Sequence, residues 1–223
     1  MRLPALCPMA VSLLTACAPS GAVGAPKGGK DTSIYVMPAD LEARVAKGEL
    51  ASAVLAGGCF WCFESAFEPL PGVVAVVSGY AGGPKPNPTY DQVGGGGTGH
   101  YEVIRVVYDP TKITYAKLLE TFWRNVDPTQ DDGQFCDRGP QYRAAIFAAT
   151  PAERAAAEES KVAAAKTLGR PVVTAILPGA PFFAAEVYHQ DFYKTNPEHY
   201  RAYREGCGRD RRLQALWGAA AGH

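Results

Sequence analysis

Ala53-Val54-Leu55-Ala56-Gly57-Gly58-Cys59-Phe60-Trp61-Cys62-Phe63-Glu64 decides how the rest of the chain is read. The apolar run predicts a strand over Ser52 to Ala56, two glycines break it, and the segment from Cys59 suits a helix that Pro69-Leu70-Pro71-Gly72 ends. Cys59 thus falls where a strand gives way to a helix. Unpaired backbone N–H groups and the positive end of the helix dipole favour a thiolate there, and the thiolate is the nucleophilic form. A free cysteine is more commonly buried in an apolar core. Gly57-Gly58 argues against that reading, because paired glycines mark a close approach of backbone or ligand.

Outward from this junction the pattern alternates. Upstream, Asp40 to Lys47 predicts a short helix stopped by Gly48. Downstream, Val73 to Val77 is β-branched and continuous, as in a strand covered on both faces. Gly79 to Gly99, rich in glycine and carrying Pro84, Pro86 and Pro88, reads as a long loop, which in a compact domain points to function. Tyr101 to Tyr108 reads as a strand covered on both faces. Leu118, Leu119, Phe122 and Trp123 recur at helical spacing between Tyr115 and Asn125. Asp127 to Gly139 is a polar loop and Tyr142 to Ala148 a strand. Thr150-Pro151-Ala152-Glu153 forms a capping box that opens a surface helix ending near Leu168, and Pro171 to Leu177 gives another strand. The order from Ser52 to Ala148 is strand, helix, strand, strand, helix, strand. It predicts an α+β domain, a two-layer ferredoxin-like split βαβ core with long loops and an extended C-terminal segment.

At 223 residues and 47% hydrophobic content the chain can bury one sizeable core. Basic and acidic residues balance at 22 each, so no global field points to nucleic acid. Residues 1–16 have the layout of a signal peptide, and Leu14-Thr15-Ala16-Cys17 resembles a bacterial lipobox, with lipidation expected at Cys17. Residues 17–50 then serve as a lipid-anchored linker and arm, 51–217 as the folded domain, and 218–223 as a tail. The expected location is periplasmic or otherwise extracytoplasmic, anchored at Cys17 or, alternatively, soluble and secreted. With Cys7 in the leader and Cys17 lipidated, Cys59, Cys62, Cys136 and Cys207 remain for chemistry.

Cys59-Phe60-Trp61-Cys62 admits a thioredoxin-type redox pair, for which a full thioredoxin-like order of elements is lacking. It also admits a zinc site, which the wide separation of Cys136 and Cys207 disfavours, so no metal is expected. Further motifs narrow the choice. Gly58-Cys59-Phe60-Trp61, Gly79-Tyr80-Ala81-Gly82-Gly83, Pro86-Asn87-Pro88-Thr89-Tyr90, Thr98-Gly99-His100-Tyr101-Glu102, Asp137-Arg138-Gly139-Pro140-Gln141-Tyr142-Arg143 and His189-Gln190-Asp191 follow in order. Together they closely resemble the A-type peptide methionine sulfoxide reductases over roughly Ala53 to Tyr200.

The resemblance implies thiol-dependent reduction of methionine S-sulfoxide in proteins, peptides or the free amino acid, as a peptide-methionine (S)-S-oxide reductase. Cys59 would attack the sulfur and Phe60 and Trp61 would hold the methyl group. Glu102 would be the acid, since a carboxyl held in an apolar pocket keeps its proton. Tyr90 and Tyr142, with Tyr200 near the C-terminus, would orient the oxygen, and Asp137 would lie near bound substrate. Arg138 departs from the histidine of many relatives and Phe192 from the tyrosine of some. Cys59 would become a sulfenic acid that a second thiol resolves. Cys207, between two glycines in a mobile tail, is favoured for that step because family resolving cysteines come from flexible C-terminal segments, with Cys62 and Cys136 as alternatives. No bound cofactor is implied. A thioredoxin-like protein or a dithiol would supply electrons to a monomeric enzyme that touches a membrane only through its lipid. His100 and His189 read as structural, His199 and His223 as solvated, Arg209 to Arg212 as a solvated face, and Trp217 as the residue docking the C-terminus.

Overall fold

A computed structural model of the chain describes residues 29–222. The leader, Cys7, Cys17, most of the linker and His223 lie outside the described residues. After helix α1 (Ala39–Ala46), strand β1 (Ala51–Gly57) leads through Gly58 and Cys59 into α2 (Phe60–Phe67). Both glycines of that junction are dictated by space. A Cβ on Gly57 would lie 1.9 Å from the Phe63 ring, and Gly58 has φ +81° with the Gln134 Cβ 2.6 Å from where its own would be.

β2 (Val73–Ala81) is longer than its β-branched run, and its buried part, Val77 to Ala81, runs on into Gly79 to Ala81, which read in sequence as loop. Its start is partly exposed, with Val74 on the surface, so the two-sided covering expected of Val73 to Val77 applies only to the strand's later half. The rest of the glycine-rich stretch includes a short helix, α3 (Tyr90–Gly94), opened by a Thr89–Gln92 capping box. β3 (Tyr101–Tyr108) and α4 (Tyr115–Arg124) follow, and the apolar stripe of α4 is buried as its spacing requires. The stretch that reads as a polar loop folds into a small hairpin, β4 (Gly133–Gln134) and β5 (Asp137–Arg138), with Asp127 and Gln134 buried beneath it. The Gln134 amide accepts from the Asp127 N–H (2.9 Å) and donates to the Asp127 carbonyl (2.9 Å), which lets these two polar residues be buried.

β6 (Ala144–Ala148), α5 (Pro151–Leu168), β7 (Ala175–Pro178) and β8 (Phe182–Ala184) complete the sheet, with strand order β7-β6-β1-β3-β2-β8. β1, β2, β3 and β6 pair antiparallel and β7 runs parallel to β6. Phe60, Phe63 and Phe67 of α2 pack with Leu118, Leu119 and Phe122 of α4 against Leu55, Ile104 and Ile146 of the sheet. Each such side chain contributes about 1.5–3 kcal/mol. The opposite face is covered by Met37 and Leu50, with Leu41 and Val45 of α1, over Val77 and Val107. This is a mixed α+β domain.

The C-terminal segment is helical: α6 (Phe192–Thr195), α7 (Pro197–Cys207) and α8 (Arg209–Trp217), the last two joined at left-handed Gly208. Trp217 is buried and its indole N–H donates to the Val126 carbonyl (3.1 Å), which docks the end of the chain on the core. Cys207 therefore closes a helix where the sequence reading placed a mobile tail. Arg209 reads in sequence as solvated, yet it is 2% exposed. No helix among the described residues is long and apolar enough to cross a membrane.

Candidate active site

Cys59 occupies the position just before α2, and both it and Cys62 are buried with free thiols. β3 begins beside this junction and brings an acid to it from distant sequence. Glu102, second residue of β3, is buried and accepts the Phe60 N–H through Oε2 at 3.1 Å. Burial pushes its carboxyl up to about 8, against the pull of that N–H, so the acid is protonated at neutral pH. This changes the expected electrostatics of Cys59. The helix N–H that would favour a Cys59 thiolate is taken by Glu102, and burial, the Cys62 thiol and the neighbouring acids push the Cys59 thiol well up. Cys62 moves the other way, to about 6, through its hydrogen bond with Cys59, against the cost of burial and aided by Arg209 and Arg204.

A cavity of about 50 Å³ opens beside Cys59, lined by Phe60, Trp61, Tyr90, Glu102, Asp137, Tyr142 and Tyr203. The Trp61 ring is fixed from several sides: Phe192 stacks on it at 3.8 Å and 9°, Tyr203 meets it edge-on, and its N–H donates to His189 Nδ1 at 3.1 Å. Burial raises the hydroxyls of Tyr90 and Tyr142, so both stay protonated donors. Asp137 accepts the Tyr203 hydroxyl, and burial raises its carboxyl.

The sequence reading chose Tyr200 for this wall. Its hydroxyl instead meets Ser65 Oγ (2.6 Å) and accepts from Arg204 (3.0 Å), and Tyr203, one helical turn later on α7, takes the cavity position. Spacing on an unrecognised helix was the signal that could have separated the two. Glu64, Glu186, Arg204 and Arg209 were also missed. Glu64 accepts from the Asp191 N–H (2.8 Å) and Ser78 Oγ (3.0 Å), and burial holds its carboxyl up at about 8. Glu186 ties the Tyr90 N–H (2.9 Å) to the Tyr80 hydroxyl (3.0 Å). The His189-Gln190-Asp191 motif works as a clasp. Gln190 pairs with both backbone groups of Ser78, and Asp191 turns the chain at φ 54°. His100 Nδ1 accepts from the Gly83 N–H (3.2 Å) and Nε2 donates to the Lys85 carbonyl (2.7 Å), a structural role, while His199 is exposed at the edge of Trp61. Arg138 pairs with Asp132 at the surface.

Cys207 is joined to Cys136 by a disulfide, so in this structure the sulfur beside Cys59 belongs to Cys62. A wider cleft of about 540 Å³, lined by acids, Arg138 and Arg212, borders Cys207 and holds no free thiol.

A buried thiol pair at a strand-to-helix junction, faced by a protonated carboxylic acid and a tyrosine-lined apolar cavity, defines a thiol-based reductase of the α+β class. Residues 51–221 match the sequence profile described as peptide methionine sulfoxide reductase, and the chain belongs to that family. A relative from Caulobacter vibrioides named as a peptide methionine sulfoxide reductase is 55% identical over 168 residues, 75% of this chain and 85% of that one. One from Halalkalibacterium halodurans with the same description is 52% identical over 171 residues, 76% and 97% of the two chains. Among solved structures, the methionine sulfoxide reductase A of Corynebacterium diphtheriae superposes with TM-score 0.64 at 36% identity, covering 67% of this chain and 76% of that one.

Proposed function

We propose that this protein is a peptide-methionine (S)-S-oxide reductase that returns methionine S-sulfoxide in proteins, peptides or the free amino acid to methionine at the expense of thiols. The observation that carries the proposal is the protonated Glu102 carboxyl at the wall of the cavity that Cys59 lines. A sulfoxide sulfur yields to thiol attack only if its oxygen gains a proton as the S–S bond forms, and Glu102 holds one at neutral pH. Phe60 and Trp61 receive the methyl group, a role in keeping with a space of about 50 Å³. Tyr90 and Tyr142 donate to the oxygen, with Tyr203 in the place expected of Tyr200. Asp137, held by Tyr203, faces the substrate.

The oxygen passes from methionine sulfur to Cys59, leaving methionine and a Cys59 sulfenic acid. Cys62 then condenses with it, water leaves, and a Cys59–Cys62 disulfide remains. Cys62 is assigned this step in place of Cys207 because it lies one helical turn from Cys59 in the same buried cluster with a free thiol, while Cys207 is occupied by Cys136. An external dithiol, of thioredoxin-like chemistry in the cell, reduces the disulfide. No bound cofactor takes part. We also read β1-α2-β2-β3-α4-β6 as a split βαβ, ferredoxin-like core, supported by the order β6-β1-β3-β2, and keep a monomer, a lipid at Cys17 and an extracytoplasmic location as parts of the proposal.

The test supplies separated S and R sulfoxide epimers of a methionyl peptide with dithiothreitol and measures methionine. Turnover of S alone is expected. Turnover of neither sinks the reading, and peptide mapping after one equivalent of sulfoxide identifies the resolving thiol.

A further inference from the structure

Cys136 and Cys207 stand too far apart in sequence to suggest a metal, yet the fold makes them neighbours, and the reductase reaction leaves both sulfurs unused. With Asp137 they form a cluster in which the two sulfurs and a carboxylate oxygen lie within 4.8 Å of one another. The Cα atoms of the two cysteines are 5.0 Å apart, so both side chains can reach one shared atom by turning about their own bonds. A dithiol, the class of reductant on which the proposed reaction runs, opens the disulfide. Two electrons and two protons pass from it to the cysteines, and it closes on itself as a disulfide. Two thiols and a carboxyl group then converge at the surface. Tetrahedral zinc takes thiolate sulfur at ~2.3 Å and carboxylate oxygen at ~2.0–2.2 Å, which sets neighbouring ligand atoms about 3.6–3.8 Å apart. The Cys136 sulfur and Asp137 Oδ1 already stand 3.8 Å apart.

Three features of the surroundings suit a cation. Tyr203 donates its hydroxyl to Asp137 Oδ2 and leaves Oδ1 to the Cys136 sulfur, the way an outer hydrogen bond fixes a metal-binding carboxylate. The Cys136 N–H donates to the Cys207 sulfur (3.1 Å), and a hydrogen bond to sulfur favours the thiolate that a metal requires. The cleft of about 540 Å³ that borders Cys207 gives a way in, and its three acids, Asp127, Asp131 and Asp132, outnumber Arg138 and Arg212. Both of those guanidinium groups are paired, Arg138 with Asp132 (2.5 Å) and Arg212 with Asp127 (2.6 Å). Ligand types, spacing, outer support and access thus agree.

We propose that the chain, once its surface disulfide is reduced, binds a thiophilic divalent cation, zinc by its chemistry, through Cys136, Asp137 and Cys207, with the fourth position open to water. Zinc displaces the two thiol protons and forms two Zn–S bonds and one Zn–O bond, with no change of oxidation state. Disulfide and metal exclude each other, because each needs both sulfurs. Asp137 also lines the Cys59 cavity, and a carboxylate tied to zinc is withdrawn from substrate there. Metal would therefore weaken sulfoxide binding in the reduced enzyme. That consequence rests on the reductase reading, whereas the site does not.

The buried pair Cys59 and Cys62 is the rival site, so the experiment titrates the full chain carrying Cys59→Ser with Cys62→Ser. The protein is reduced with a phosphine, freed of reductant without oxygen, and titrated with zinc against a chromophoric chelator, then with cobalt(II), whose sulfur-to-metal absorption reports thiolate ligands. About one equivalent should bind after reduction and none while the Cys136–Cys207 bond is intact. Adding Asp137→Asn should weaken binding by ~10- to 100-fold. In the reduced wild-type chain zinc should shield Cys136 and Cys207 from iodoacetamide, read by peptide mapping, which decides the site even if the variant does not fold. No metal bound after reduction, equal binding in both redox states, or Cys136 and Cys207 alkylated as fast with zinc as without overturns the site. Unchanged affinity in Asp137→Asn overturns the place of Asp137 among the ligands. In a single turnover of the reduced wild-type chain, zinc should raise several-fold the sulfoxide concentration that gives half the maximal rate, and Cys136→Ser with Cys207→Ser should escape this. An equal effect in both overturns the consequence for substrate. If the wild-type chain reduces neither epimer, that consequence falls with the reductase reading while the titration still decides the site.

Discussion

Cys59 and Cys62 stand three residues apart on one helical turn and are buried with free thiols, whereas Cys136 and Cys207 are 71 residues apart and meet at the surface as a disulfide. The first pair has beside it groups that can hold or give a proton, the Glu102 carboxyl and the hydroxyls of Tyr90 and Tyr142. The second ties the β4–β5 hairpin to the end of α7, and so holds Asp137 and Tyr203 against each other at the cavity wall. One pair is placed to react and the other to hold. Cysteine chemistry here is set by the surroundings, since a thiol's reactivity follows its proton affinity and access rather than its identity.

The hardest test of this contrast compares the two pairs directly. Cys59→Ser should abolish dithiothreitol-driven turnover, a loss of at least ~1000-fold, while Cys136→Ser with Cys207→Ser should keep turnover within about tenfold. If the double variant were as dead as Cys59→Ser, the division of roles would collapse. Next in size, Glu102→Gln should lower kcat by ~100- to 10,000-fold. Because Glu102 must hold its proton and loses it near pH 8, wild-type activity should fall as pH rises through 8, and the variant's residual rate should lack that alkaline limb.

Smaller effects sharpen the holding side. Loss of the Cys136–Cys207 link, which closes a long loop, should cost about 2–4 kcal/mol by thermal or denaturant unfolding. It should also raise KM several-fold through a looser Asp137, with less change in kcat. Stability should fall gently as pH rises from about 4.5 to about 8. The carboxyls of Glu64 and Glu102 bind their protons more tightly folded than unfolded, so their contribution is full below the unfolded value and lost above the folded one. Glu64→Gln should flatten part of that slope in a series of Tm measurements across pH, and an unchanged slope would show that Glu64 does not titrate as its burial implies.

The sequence by itself placed Cys59 at a strand-to-helix junction, because two glycines after an apolar run leave little else possible. It also placed β1, β3, α4 and α5, whose periodicity and caps are local properties. Family resemblance, carried by short motifs, pointed to Glu102, Tyr90, Tyr142 and Asp137, and the fold gathers them round Cys59. What it missed depends on contacts across long separations. Gly79 to Ala81 joined a strand because β3 and β8 flank it, and Asp127 at the start of a polar loop was buried because Gln134 satisfies its backbone. Tyr203 displaced Tyr200 because α7 turns that face to the cavity. Arg209 looked solvated beside Asp210, Arg211 and Arg212, yet it fills the space behind Gly57. Only the tertiary structure decided which thiols are buried free beside a protonated acid and which are joined at the surface, because electrostatic energy depends on distance and burial in space, and neither is a property of spacing along the chain.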